Sequence, residues 1–163
     1  MSATAPFFSS ERDGFQWLYD LEHNQEYYEK WKRNLAIAEI TGFYTYCAVV
    51  KALQNPLPRW AGCDLSSYIH HANIIAKQEQ AHYNIVSARL EIEVLPVDHE
   101  GTFAELDVNE RRSEMRLSTI ITNSSNKDLV TLANRLMIDE AYHCWYTRLV
   151  LRELGDFPLP RLQ

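Results

Sequence analysis

The pattern E-x-x-H occurs twice in this chain, in Gln78-Glu79-Gln80-Ala81-His82 and in Asp139-Glu140-Ala141-Tyr142-His143. On a helix, residues three apart share a face. A carboxylate oxygen and an imidazole nitrogen on one face can reach a single metal ion, so each pattern supplies half of a metal site. A single match is weak, because Glu and His are frequent on amphipathic helices and a solvent-facing pair is its ordinary meaning. Two matches in two separate helical hairpins are far more specific.

The remaining ligands should be lone glutamates on the helices that carry no such pattern. Leu35-Ala36-Ile37-Ala38-Glu39-Ile40-Thr41-Gly42-Phe43 sets Glu39 in an otherwise apolar segment. A buried, unpaired carboxylate there would be costly, and a metal would satisfy it and keep it ionised. On the third helix Glu110 and Glu114 share the face of Leu106 and Leu117. Register separates them: Glu110 lies about as far before the Asn123 turn as Glu140 lies after it, whereas Glu114 is nearer by about 6 Å at about 1.5 Å per residue. Glu110 is therefore the expected ligand. Glu114 is read first as a solvated or supporting residue, with proton delivery or a carboxylate that swings onto a metal as its other roles.

These residues need four long helices, and the chain has the composition for them. It has 163 residues, 46% apolar, with only 5 glycines, which suits one all-α domain over 1–163. An arm over 1–24, with a short helix near Phe15 to Leu21, precedes a bundle over 25–154 and a tail over 155–163. The first long helix is predicted from Gln25 to Leu53 and stops at Asn55-Pro56-Leu57-Pro58. Asp64 or Ser66 caps the second, which carries Ile69, Ile74, Ile75, Ile85, Val86, Leu90 and Ile92 to about Glu93, before Pro96. After the link Val97 to Gly101, the third begins at Thr102 or Asp107 and runs to Thr122, with Leu106, Leu117 and Ile121 inward. Asp128 caps the fourth, which ends at Leu154 before Gly155, Pro158 and Pro160. Antiparallel hairpins then bring Glu39 level with Glu79 and Glu110 level with Glu140. Four carboxylates and two imidazoles would hold two iron ions in a nearly neutral reduced site, and manganese has similar ligand preferences.

Over roughly Gln25 to Leu154 this pattern resembles the ferritin-like di-iron carboxylate superfamily, which includes bacterioferritin, rubrerythrin and the hydroxylase subunits of bacterial multicomponent monooxygenases. The resemblance implies a ferritin-like four-helix bundle with Glu39, Glu79, His82, Glu110, Glu140 and His143 as metal and catalytic residues. In that family an aspartate before the motif glutamate often hydrogen-bonds the histidine of the opposite motif. Asp139 matches and would support His82; Gln78 stands in the equivalent place and would accept a hydrogen bond from His143. The link between the second and third helices is shorter than the long crossover of bacterioferritin-like relatives.

Oxygen activation follows from such a site. The leading expectation is an oxidase or oxygenase that uses O2 and an external electron donor or reductase to oxidise a small organic substrate. The alternatives are a ferroxidase or iron-storage protein of bacterioferritin type, and a rubrerythrin-like peroxidase. The short crossover and the lack of an obvious haem-ligating methionine weigh against storage. The missing C-x-x-C pairs of a rubredoxin domain weigh against the peroxidase. A homo-oligomer is expected.

A formal charge of −6 and a pI near 5.5 disfavour nucleic-acid binding. Cys47, Cys63 and Cys144 have no disulfide or zinc spacing and suit reduced thiols in a cytoplasm. No leader is read in the first residues, and no membrane span of about 18 apolar residues is found. His70 and His71 lie too far before Glu79 to join the site and are read as surface or packing residues, and His99 as a loop residue. Tyr44, Tyr46, Tyr83, Tyr142 and Trp145 lie near the ligands as core aromatics, hydrogen-bond partners or redox relays. Arg111, Arg112 and Arg116 form an outward face or a patch for an anionic substrate or redox partner.

Overall fold

The computed structural model describes residues 11–88 and 99–162, all but the ends of the chain and one internal segment. The described chain is all-helical: α1 (Glu11–His23), α2 (Gln25–Gln54), a 3-10 turn (Pro58–Trp60), α3 (Ser66–Ser87), α4 (Phe103–Asn123) and α5 (Lys127–Leu154). Among the described residues the single extended pairing is an isolated bridge between Thr102 and Pro158.

Each helix boundary has a local cause. The Asn24 side chain accepts a hydrogen bond from the Tyr27 amide at 3.0 Å and starts α2 one residue after α1 ends. The arm is thus more helical than expected, because Leu18 and Leu21 gain a buried surface to lie on. Asp64 accepts from the Ser66 amide at 3.0 Å, so it satisfies the start of α3 from outside the helix. A reciprocal pair, Thr102 with the Glu105 amide and Glu105 with the Thr102 amide, settles the start of α4 at Phe103 rather than near Asp107. The cap of α5 is Asn126, which accepts from the amides of Asp128 and Leu129; Asp128 instead lies in the first turn, where its charge favours the helix dipole. Gly155, at φ 76°, ends α5 in a backbone state that disfavours a side chain. The predicted continuation of α3 to Glu93, with Leu90, Ile92 and Pro96, lies outside the described residues, as do the first residues of the arm and part of the link.

α2 packs along α3 and α4 along α5, while α1 rests on α2 and α4. Two apolar cores result. One contains Tyr46, Leu53, Trp60, Ile75, Phe103 and Tyr146. The other contains Leu18, Leu21, Leu117, Leu129, Leu132 and Leu136. On α4 the buried stripe is Leu106, Leu117 and Ile120, with Ile121 only partly covered. The tail after α5 is tied down: Phe103 donates to the Phe157 carbonyl at 3.0 Å, Leu159 to the Gly101 carbonyl at 2.9 Å, and the Trp60 indole to the Leu154 carbonyl at 3.0 Å. These bonds anchor the first turn of α4 and so the height of Glu110.

α2 is also long and apolar enough to cross a membrane, with an 18-residue window of mean hydropathy 1.2. The expectation that no stretch qualifies is corrected to that extent. Core helices pass the same test, and the buried face of α2 carries Glu39 together with Tyr46, Val49 and Leu53.

Candidate metal centre

Four helices deliver one acid or acid–imidazole pair each to a common point. α2 brings Glu39, α3 brings Glu79 and His82, α4 brings Glu110, and α5 brings Glu140 and His143; all are 5% exposed or less. They form two overlapping sets, Glu39, Glu79, His82, Glu140 and Glu79, Glu110, Glu140, His143. In each set the nearest ligand atoms lie within 4.8 Å of one another, and each set could hold a metal ion. Glu79 and Glu140 belong to both sets. Glu114, one turn further along α4, is in neither set and is only partly buried. Burial, and then Glu114, push the Cys144 thiol well above the ordinary thiol value.

The hydrogen bonds behind the histidines fix which nitrogen faces inward. Asp139 can only accept, so the 2.9 Å contact puts the proton on His82 Nε2 and leaves Nδ1 turned to Glu39 Oε2 at 3.1 Å. Gln78 donates its amide to Asp139 Oδ1 at 3.1 Å, which points its carbonyl at His143 Nε2, also 3.1 Å away. His143 Nε2 must therefore donate, and its Nδ1 faces the carboxylates, 3.2 Å from Glu79 and 3.6 Å from Glu110. Both imidazoles thus offer Nδ1 to the centre when neutral, held by partners of the kind that orient metal ligands. The contacts read from the sequence, Asp139 with His82 and Gln78 with His143, are both present.

Without a cation this cluster is electrostatically unfavourable. Burial, then Glu39 and Glu110, push Glu79 well above the usual carboxylate range; burial and Glu110 do the same to Glu140. Burial alone would raise Glu110 too, but His143 and the Tyr46 hydroxyl hold it below its ordinary value. Burial would lower His143, yet Glu110 and its neighbours outweigh it and raise the ring to about 9. For His82 the bonds to Glu39 and Asp139 likewise overcome burial and raise it. Glu140 Oε2 and His143 Nδ1 are buried without a hydrogen-bond partner, although carboxylates lie close to the ring nitrogen. Two buried polar atoms without a hydrogen-bond partner, set among carboxylates that burial and mutual repulsion disfavour as anions, are what a cation satisfies, so the residues fit a metal.

Three features of the site had no clear signal in the sequence. Gly42 lies against Glu79, and a Cβ there would stand 2.8 Å from its carboxyl carbon, so the missing side chain makes room for the ligand. Tyr46 donates to Glu110 Oε1 at 2.5 Å from a fully buried ring. It was one aromatic among five before the fold singled it out. Asp107 is buried on α4, where it accepts from Thr147 at 2.7 Å and pairs with Arg111 at 2.8 Å. Its i,i+4 spacing to Arg111 was the only hint.

Position corrects the readings of Tyr44, Trp145 and the three arginines and keeps those of His70, His71 and His99. Tyr44 and Trp145 are exposed on helix faces turned from the core, not core aromatics. His71 joins Tyr142 through a 2.5 Å hydrogen bond away from both ligand sets, while His70 is exposed. His99 bonds the Glu100 carbonyl at 2.7 Å. The three arginines do not share one outward face: Arg111 pairs with Asp107, while Arg112 and Arg116 line a cavity of about 360 Å³ that opens between α2 and α4. That cavity reaches Glu39, Glu79, Glu110 and Glu140.

No family model, curated protein or solved structure matches the chain. The chemistry of the site therefore rests on its own geometry.

Proposed function

We propose that this chain is a ferritin-like di-iron protein, an O2-activating oxidase or oxygenase that acts on a small organic molecule in the cavity between α2 and α4. The observation that carries this reading is the pair of ligand sets sharing Glu79 and Glu140. Four carboxylates balance two divalent cations, and hard oxygen donors mixed with imidazole suit iron, with manganese as the near alternative. When bound, two ferrous ions would supply electrons to O2.

The chain's own residues support that chemistry in three ways. Asp139 and Gln78 hold the two imidazoles with Nδ1 inward, so the rings need no reorientation to accept a metal. Two apolar cores on either side of the ligand layer limit its contact with water to the side on which the cavity opens. The cavity gives a small molecule access to the ligand carboxylates, and its volume lies within the range of small-molecule sites, about 300–1,000 Å³. An external donor or reductase is needed to return the centre to its reduced state between turnovers.

The test is anaerobic titration of the metal-free full chain with Fe(II), followed by admission of O2 and sizing of the product. Saturation near two irons per chain, O2 consumption and a small oligomer are expected. A hollow shell that accumulates many irons per chain would replace this reading with iron storage. Failure to bind iron or manganese would remove the metal reading altogether.

A further inference from the structure

The cavity that reaches the ligand carboxylates carries a cation of its own. Arg116, on α4, lines both the 360 Å³ cavity and an adjoining one of about 90 Å³. It is partly buried, and its Nε is fully buried without a hydrogen-bond partner. None of the ion pairs among the described residues includes it; its neighbours include the Trp17 ring, 6.0 Å away, the like charge of Arg112, which with burial disfavours its charge, and Tyr27, which favours it. Glu39 borders both cavities too, but its carboxylate turns to His82. Glu100, near the same opening, is engaged by Asn109 and lies in the field of Arg112.

A partly buried guanidinium without a carboxylate is costly unless something else meets it. Beside it stand Asn34 and Ser113, which line both cavities and can complete a polar cradle. The walls that continue from this cradle are apolar, with Ile37 and Leu106 toward the ligand layer and Trp31, Leu35 and Leu117 in the adjoining space.

We infer that the cavity binds a small organic carboxylate, with Arg116 holding the anionic group and the apolar walls placing its hydrocarbon part beside the metal centre. This rests on the proposed function and names its substrate class. Arg116 acts here as a binding residue. Its planar fork matches a carboxylate with two parallel hydrogen bonds.

The experiment compares benzoate, benzyl alcohol and benzylamine, three probes of similar size and different charge, by calorimetric titration of the full chain, metal-free and Mn(II)-loaded. Benzoate is expected to bind the loaded protein best, and Arg116→Gln to weaken it by about tenfold to a hundredfold, the range for a charge-assisted pair. Benzyl alcohol binding and manganese content should stay unchanged. Arg116→Lys, which keeps the charge, should restore part of the benzoate affinity and controls for folding. Equal binding of the three probes, preference for the amine, or no binding of any overturns the inference. So does benzoate binding that survives Arg116→Gln, since the carboxylate would then be held by the metal. Two manganese ions bound without benzoate selectivity leave the metal centre standing and remove only this inference. Benzoate bound through Arg116 in a chain that takes up no metal does the reverse.

Discussion

The two halves of the candidate metal centre repeat one motif with different support. In one half, Glu39 and His82 are backed by Asp139, whose carboxylate accepts the His82 proton at 2.9 Å. In the other, Glu110 and His143 are backed by the Gln78 amide at 3.1 Å, and Tyr46 donates into Glu110 at 2.5 Å. An anion behind an imidazole raises its basicity and its donation to a metal more than a neutral amide does. A phenol on a carboxylate draws charge away from it. With metal bound, the halves would give an electron-rich position at Glu39 and His82 and an electron-poorer one at Glu110 and His143. Glu39 also borders both cavities. The lesson is that equivalent ligands need not make equivalent sites, because the residues one layer out carry the asymmetry.

The sharpest break of this comparison comes from the shared ligands. Glu79→Ala or Glu140→Ala removes a residue shared by both sets and should abolish binding of both ions, whereas Glu39→Ala or Glu110→Ala should cost one ion each. Metal analysis of purified protein, with circular dichroism to verify the helices, reads the difference. A folded Glu79→Ala protein that keeps two ions would show the ligand assignment to be wrong.

Next in size is the support behind the rings. Asp139→Asn should weaken the His82 position by about tenfold to a hundredfold in metal affinity. Gln78→Asp should bring the His143 position closer to its counterpart. Stepwise Mn(II) titrations followed by electron paramagnetic resonance resolve the two sites, and equal effects of Asp139→Asn on both would erase the asymmetry.

Acidity tests the centre as a whole. Glu79, Glu140 and His143 have folded values raised above their unfolded ones, so each contributes stability at low pH that is lost as pH rises through the folded value, about 9 for His143. Glu110, held low, works oppositely and only at the acid end. The metal-free protein should therefore melt lower at pH 9.5 than at pH 6.5, approximate limits set around the ordinary and raised histidine values. The metal-loaded protein should show the opposite slope, because protons on the same groups compete with the ions. Calorimetry with chelator and with Mn(II) compares the slopes, and a metal-free protein that gains stability toward pH 9.5 would contradict the repulsive cluster.

The smallest effect is the loss of a single bond. Tyr46→Phe leaves Glu110 with one partner fewer and should destabilise the metal-free chain by about 1–3 kcal/mol in urea denaturation. Tyr44→Phe, on an exposed ring, should leave the midpoint where it is. Equal behaviour of the two would take Tyr46 out of the Glu110 half.

Much of this was legible before any coordinates. The spacing of Glu79 to His82 and of Glu140 to His143 is a property of one helix, and helical periodicity alone puts each pair on one face. Glu39 stood out because its neighbours are apolar. The preference for Glu110 over Glu114 needed only helix rise and a turn of known position, and Glu110 is the one in a ligand set. The helix ends within the described residues were read nearly in place, since caps and prolines act within a few residues; at α5 Asn126 takes the cap and Asp128, two residues on, lies in the first turn.

What local reasoning left open depended on contacts between segments far apart in the chain. Tyr46 meets Glu110 across 64 positions, and Gln78 meets Asp139 across 61, so their pairing exists only once the hairpins dock. Gly42 is informative only when α3 lies against α2 and a side chain would strike Glu79. Arg112 and Arg116 read as a solvated face because periodicity shows which residues share a side, not what that side faces. Helix periodicity is written along the chain and survives in the sequence. A cavity is the space between helices, defined by how they stand apart, and its lining exists only in three dimensions.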